Sequence, residues 1–96
     1  MIFSRNKKNN ENEKIPDILN VRVASVDHLI WKGDASSVSS INSKGPFDIL
    51  PRHQKFITLV HDSPIQIQAT EEKKTFIFPI SIIFVSENKV SIFANL

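Results

Sequence analysis

Each of the three histidines in this chain has an aspartate close by: Asp27-His28, Asp48 with His53, and His61-Asp62. Serines are plentiful, so the first chemistry to consider is nucleophilic hydrolysis. That needs a hydroxyl nucleophile, a base within hydrogen-bond reach, and a third group to orient the base. No serine lies in a G-x-S-x-G turn of the kind that lifts a nucleophile out of a strand end. Asp27 and Asp62 fall in turn sequences, where a carboxylate ordinarily caps the backbone. Asp48 with His53 is then the pair on which a small hydrolase would have to be built, and no serine context supports it. Three scattered histidines lack the local spacing of a metal site. There is no phosphate-binding glycine loop of either common kind. Glu71 and Glu72 are adjacent, so they point to different sides of a charged turn. The residues argue for no catalysis, no metal and no cofactor.

Bulk properties narrow the classes further. At 96 residues the chain makes one domain. Met1 to Pro16 is polar, rich in Asn, Lys and Glu, and is expected to be a disordered leader, with the folded domain over 17–96. A core this small is marginal alone, so a partner surface would help it. There is no cysteine, which excludes disulfides and thiolate metal sites. The net charge of +2 is a small excess, partly from Lys7, Lys8 and Lys14, and gives no clustered basic face for nucleic acid. No apolar h-region follows Met1-Ile2-Phe3, so no signal peptide is expected. No apolar run reaches the roughly 18 residues of a membrane-spanning helix.

The pattern that must position any site is β throughout. Leu19-Asn20-Val21-Arg22-Val23 alternates, placing Leu19, Val21 and Val23 inward. Ser25 to His28 turns the chain. Leu29-Ile30-Trp31 is a short strand ending at Gly33, and Ala35 to Ile41 a second with a polar, serine-bearing outer face. Lys55 to Val60 and Ile65 to Ala69 follow, the latter with Ile65, Ile67 and Ala69 on one face. A charged hairpin tip at Glu71 to Lys74 leads to Thr75 to Phe78, and Pro79 marks an edge, a bulge or a strand boundary. Ile80 to Val85, a tight turn at Ser86 to Lys89, and Val90 to Phe93 complete the series. No helical period of useful length occurs. Turn signals every 8–12 residues predict an all-β sandwich or barrel.

One stretch is more closely specified than the rest. Asn42 to His53 holds one of two glycines, two of five prolines and one of three histidines, around Phe47, Ile49 and Leu50. Gly45 admits a positive φ, while Pro46 and Pro51 fix φ and remove donors. The stretch therefore reads as a rigid connection that breaks sheet pairing. It is either a structural corner or a loop that presents a binding surface.

In order along the chain, these features resemble the N-terminal β-sandwich of the epsilon subunit of F-type ATP synthases. Leu19 to Ser25 resembles that family's opening strand, Trp31-Lys32-Gly33 its aromatic-x-Gly step, and Ala35 to Val38 the strand after it. Gly45-Pro46-Phe47-Asp48-Ile49-Leu50-Pro51-Arg52-His53 is similar to its corner signature, and Asn88 to Phe93 to its last strand. The resemblance implies a flattened antiparallel β-sandwich of two sheets, with about 8–10 short strands, and a central-stalk subunit that binds gamma, contacts the c ring and couples ion translocation to ATP synthesis without chemistry of its own. It implies a peripheral place on the cytoplasmic face of a bacterial inner membrane, and no homo-oligomer. The implied interface is Lys44, Gly45, Pro46, Phe47, Asp48, Ile49, Leu50, Pro51, Arg52 and His53. Lys44 to Pro46 would face the c ring, and Phe47, Ile49, Leu50 and His53 would lie at that end or toward gamma. The alternative is a free-standing β-sandwich that binds another protein.

Three departures from the family pattern stand out. Arg52 replaces a glycine, which a negative φ there would accommodate. Pro79-Ile80-Ser81 replaces a glycine pair. Phe84 occupies an often polar outward position and is expected to add a docking contact. The family's C-terminal helical hairpin has no counterpart in these residues, and a naturally short form is the expectation.

Overall fold

The computed structural model describes residues 18–94, so the expected leader lies outside the described residues. Eight strands follow one another: β1 (Leu19–Ala24), β2 (Leu29–Asn42), β3 (Gly45–Ile49), β4 (Phe56–His61), β5 (Pro64–Ala69), β6 (Lys73–Ile77), β7 (Ile80–Ser86) and β8 (Lys89–Ala94). They join in a single sheet of order β4-β7-β8-β1-β2-β5-β6, with β3 also on β2. The sheet folds over on itself as two layers. Val21 and Val23 of β1, Ile83 and Val85 of β7 and Val90 and Ile92 of β8 meet Val38, Ile49, Ile65 and Ile67 from the other half in one core. The alternation in β1, β5 and β8 reads directly as burial: each inward residue is buried and each intervening one is exposed or half-exposed.

Two features differ from the sequence expectation. The first is that the sheet is mixed. β1 and β8 run parallel, Val21 beside Val90 and Val23 beside Ile92, while the remaining strand pairings are antiparallel. Alternation shows which face is buried but carries no strand direction. The second is that Leu29–Trp31 and Ala35–Ile41 are one strand of 14 residues. Gly33 does not end it, because the Trp31 indole fills the space a side chain would take there; a Cβ at Gly33 would lie 2.8 Å from the ring. Glycine in a strand commonly marks such a close approach. A register shift in the β5 pairing between Ala35 and Ser37 bends β2 where it passes between layers. This long strand joins the halves, pairing β1 with its first part and β3 and β5 with its second.

Local chemistry accounts for the turns. Glu87 and Asn88 both have positive φ, 51° and 63°, and Ser86 pairs with Lys89, giving the two-residue hairpin whose twist suits flanking strands. Pro79 falls between β6 and β7, a strand boundary. The serines of β2 do not all face water. Ser40 is buried and donates to the Pro64 carbonyl at 2.9 Å. Ser81 is wholly buried on β7 and its Oγ has no hydrogen-bond partner among the described residues. An unmet buried hydroxyl costs about 1–2 kcal/mol. Ser81→Ala is expected to raise stability by about 1 kcal/mol, seen as a higher urea midpoint at unchanged slope.

Candidate functional site

Two of the three His–Asp neighbourhoods are resolved by side-chain geometry. In the β1–β2 turn, His28 Nδ1 donates to Asp27 Oδ1 at 2.7 Å, and Ser25 Oγ donates to the same oxygen at 3.1 Å. Ser25 Oγ also stands 3.0 Å from that same Nδ1. A relay needs hydroxyl and carboxylate on opposite imidazole nitrogens, so this trio ties a turn rather than activating a nucleophile. The His28 hydrogen bond, then that of Ser25, holds the Asp27 carboxyl below its ordinary value. A carboxyl lowered in this way stabilises the fold above its unfolded pKa and loses that contribution as pH falls through the lower folded value. Asp27→Asn is therefore expected to flatten stability against pH only below about pH 4, as followed by thermal melts. Asp48 accepts from Ser39 Oγ, while His53 Nδ1 donates to the Gln54 carbonyl at 2.9 Å. The pair required for a hydrolase is thus taken up separately. No three His, Cys, Asp or Glu side chains converge as a metal cluster among the described residues.

The stretch 44–53 is not one rigid corner. Gly45 to Ile49 pairs with β2 as β3, Pro46 opposite Ile41, which corrects the expectation that it breaks sheet pairing. β3 is bonded on one side only, and an edge strand is where proline is tolerated. The ten residues thus divide into a hairpin tip at Lys44 to Pro46 and a loop at Leu50 to His53. Three strand residues, Phe47 to Ile49, lie between them, so Pro46 and Leu50 stand about 13 Å apart. Gly45 takes φ 116°, so only glycine sits there without strain. Lys44, Pro46, Asp48, Leu50 and Arg52 are exposed, and Pro51 is half-buried. Phe47 and His53 flank Phe56 of β4 edge-on, at 5.5 and 5.4 Å, and all three are half-buried. Ile49 is fully buried core and offers no surface to a partner.

Arg52 departs from the expected negative φ and takes +70°. The conformation is held from outside: its backbone N–H donates to Asn88 Oδ1 at 2.5 Å, binding the loop to the β7–β8 turn. A Cβ in this region costs about 1–2 kcal/mol, partly offset by the greater unfolded freedom of glycine. Arg52→Gly should therefore stabilise by about 0.5–1 kcal/mol. Asn88→Gly, which keeps the turn but loses the acceptor, should cost about 1 kcal/mol by the same urea measurement.

A row of exposed apolar residues lies on the outer face of β4, β7 and β8. Register places Ile57 opposite Phe84 and Leu59 opposite Ile82, with Ile82 in turn opposite Phe93. Ile57 is 67% exposed, Leu59 49%, Phe84 41% and Phe93 43%. Phe84 is thus outward, as expected. β4 is also an edge strand, and beside it a groove of about 590 Å³ is lined by Ile41, Asn42, Ile57, Thr58 and Leu59. Only Phe84 of this face was anticipated from sequence. The signal for the rest is that Phe56 to Val60 and Ile82 to Val85 are apolar at nearly every position. A strand buried on one face alternates with polar residues, and unbroken apolar runs ask for cover on both faces. Contiguous exposed apolar surface marks interaction sites.

A family model described as ATP synthase, Delta/Epsilon chain, beta-sandwich domain matches residues 18–96. An ATP synthase epsilon chain of Mycobacterium leprae is 32% identical over 81 residues, covering 82% of this chain and 67% of its own length. The chain spans about 59–67% of the first curated relatives it matches. A Euglena gracilis mitochondrial ATP synthase structure that includes the c-ring has a chain of similar fold, with TM-score 0.76 and 13% identity over 88% of this chain and 54% of that one. A central stalk and c-ring structure from Tetrahymena thermophila mitochondrial ATP synthase gives TM-score 0.69 and 16% identity over 79% and 62%. Among the described residues no helix is long and apolar enough to cross a membrane. With the family match spanning all the described strands, this chain belongs to the beta-sandwich domain family of the ATP synthase delta/epsilon chain.

Proposed function

We propose that the chain is an epsilon-type central-stalk subunit of a rotary ATP synthase. It binds gamma and contacts the c ring, and by holding them in register it couples ion translocation to ATP synthesis. It forms and breaks no bonds itself. The observation that carries this reading is the uncovered apolar face of β4, β7 and β8, led by Ile57, Leu59, Phe84 and Phe93. A flat, rigid sheet face of this kind suits torque transmission, since packed strands deform little under load. Gamma covers this face. The tip at Lys44, Gly45 and Pro46 meets the c ring, and Phe47, Asp48, Leu50, Pro51, Arg52 and His53 border the contacts. Ile49 supports them from the core. The bacterial epsilon chains among its relatives support a peripheral place on the cytoplasmic face of a bacterial inner membrane.

The test is reconstitution. The full chain and the gamma subunit of the same organism should co-elute as a one-to-one complex in size-exclusion chromatography. Separate elution, with the β-sheet circular dichroism of the chain intact, would end the reading.

A further inference from the structure

The outer face does not stop at the apolar residues. Its middle row continues across the sheet: Ile57 opposes Phe84, Phe84 opposes Ser91, Ser91 opposes Arg22, and Arg22 opposes Lys32. The last two are cations set directly across an antiparallel pair, and both are exposed. Like charges in that position repel and weaken a sheet. Neither belongs to the His28–Asp27 or Lys74–Glu72 salt bridges, and neither forms an ion pair among the described residues. The other charged groups nearby are Lys89, beside Asn20 on β8, and Asp34, opposite Asn20 on β2, with Glu87 in the β7–β8 turn. Asp34 pairs with none of these cations. The face is therefore apolar on β4, on β7 and at Phe93 of β8, and beyond it carries Lys89 of β8, Arg22 of β1 and Lys32 of β2 against Asp34.

We propose that Arg22 and Lys32 form a carboxylate-docking pair at the rim of the apolar face. The protein surface that covers Phe84 and Phe93 carries an Asp or Glu about 10 Å further on, two strand spacings across from Phe84. The proposal rests on the docking reading above and adds what the partner must offer: an apolar patch with acid on one side. Charge complementarity selects this occupant. Arginine and lysine side by side give a forked donor and a point charge for one carboxylate. A lipid surface is the weaker match, because attachment to anionic headgroups calls for a cluster of about 4–8 basic residues. Three cations share this face with Asp34.

Arg22→Glu separates the two roles of the pair, because it puts an acid opposite Lys32. The fold gains an attraction where it had a repulsion, and the partner's carboxylate loses its seat. The expected result is an unchanged or raised melting temperature together with about tenfold weaker binding to purified gamma at about 0.1 M salt. Arg22→Gln should weaken binding less, and the gap between wild type and both variants should close toward about 0.5 M salt. Wild type failing to bind gamma would remove the docking reading itself. Wild type binding gamma while Arg22→Glu binds equally well would overturn the carboxylate pair alone. Loss confined to sedimentation with phosphatidylserine vesicles, gamma binding being unaffected, would overturn it in favour of a lipid headgroup.

Discussion

Ile49→Ala is expected to lower stability by about 3 kcal/mol, whereas Leu50→Ala, one residue on, should change it by less than about 0.5 kcal/mol. The two side chains are nearly equal in size and differ in where β3 sends them. Ile49 is fully buried opposite Val38 and belongs to the central cluster, while Leu50 is 53% exposed after the strand ends. Removing three carbons from the first leaves a cavity lined from both layers, which a pleated sheet cannot close by collapse. For a domain of this size the loss corresponds to a fall of roughly 12–24 °C in melting temperature. Differential scanning calorimetry on both variants decides the point. Equal shifts would mean that the loop, not the strand, holds this part of the chain.

The second large effect is on assembly. Phe84→Glu is expected to weaken binding to gamma at least 100-fold, or about 3 kcal/mol, with the melting temperature within a few degrees of wild type. Phe84 lies between Ile57 and Ser91 in the middle row of the outer face, so a carboxylate there would be buried without a partner in the complex. In the free chain it stands in water and costs little. Ile77→Glu supplies the control. Ile77 is more exposed still but lies on β6, at the far edge of the sheet order from β4. Its substitution should leave gamma binding unchanged. Isothermal titration of the three proteins would show the contrast. Equal losses from both substitutions would point to a general effect of added negative charge.

Much of the fold was legible because alternation is a direct record of sidedness. Leu19-Val21-Val23, Ile65-Ile67-Ala69 and Val90-Ile92 all lie buried as their spacing implies. The turn at Glu87-Asn88 and the boundary at Pro79 were legible because each rests on local backbone chemistry. What depended on distant residues was not. Gly33 reads as a stop until the Trp31 ring is seen lying over it. Pro46 reads as a break until β3 proves to be an edge strand. Positive φ at Arg52 depends on Asn88, 36 residues away. The candidate site was legible only in part. The corner motif drew attention to 44–53, but Ile49 belongs to the core, and the broad apolar face arises from register among β4, β7 and β8. Register is set by the whole sheet, and no local window contains it.

The parallel pairing of β1 with β8 has a consequence for biosynthesis. The first and last strands of the described domain are neighbours in the middle of the sheet, Val21 against Val90. Closing that pair joins positions roughly 70 residues apart, among the most non-local contacts so short a domain can contain. A nascent chain therefore cannot complete its sheet until β8 has cleared the ribosome, and until then β1 and β7 each present a bare hydrogen-bonding edge. Sheet closure should follow the emergence of β8 and take milliseconds to seconds, as is usual for β topologies of high contact order. Until that closure the apolar outer face and the unpaired edges are exposed together, which makes the half-emerged chain a natural client for a ribosome-associated chaperone.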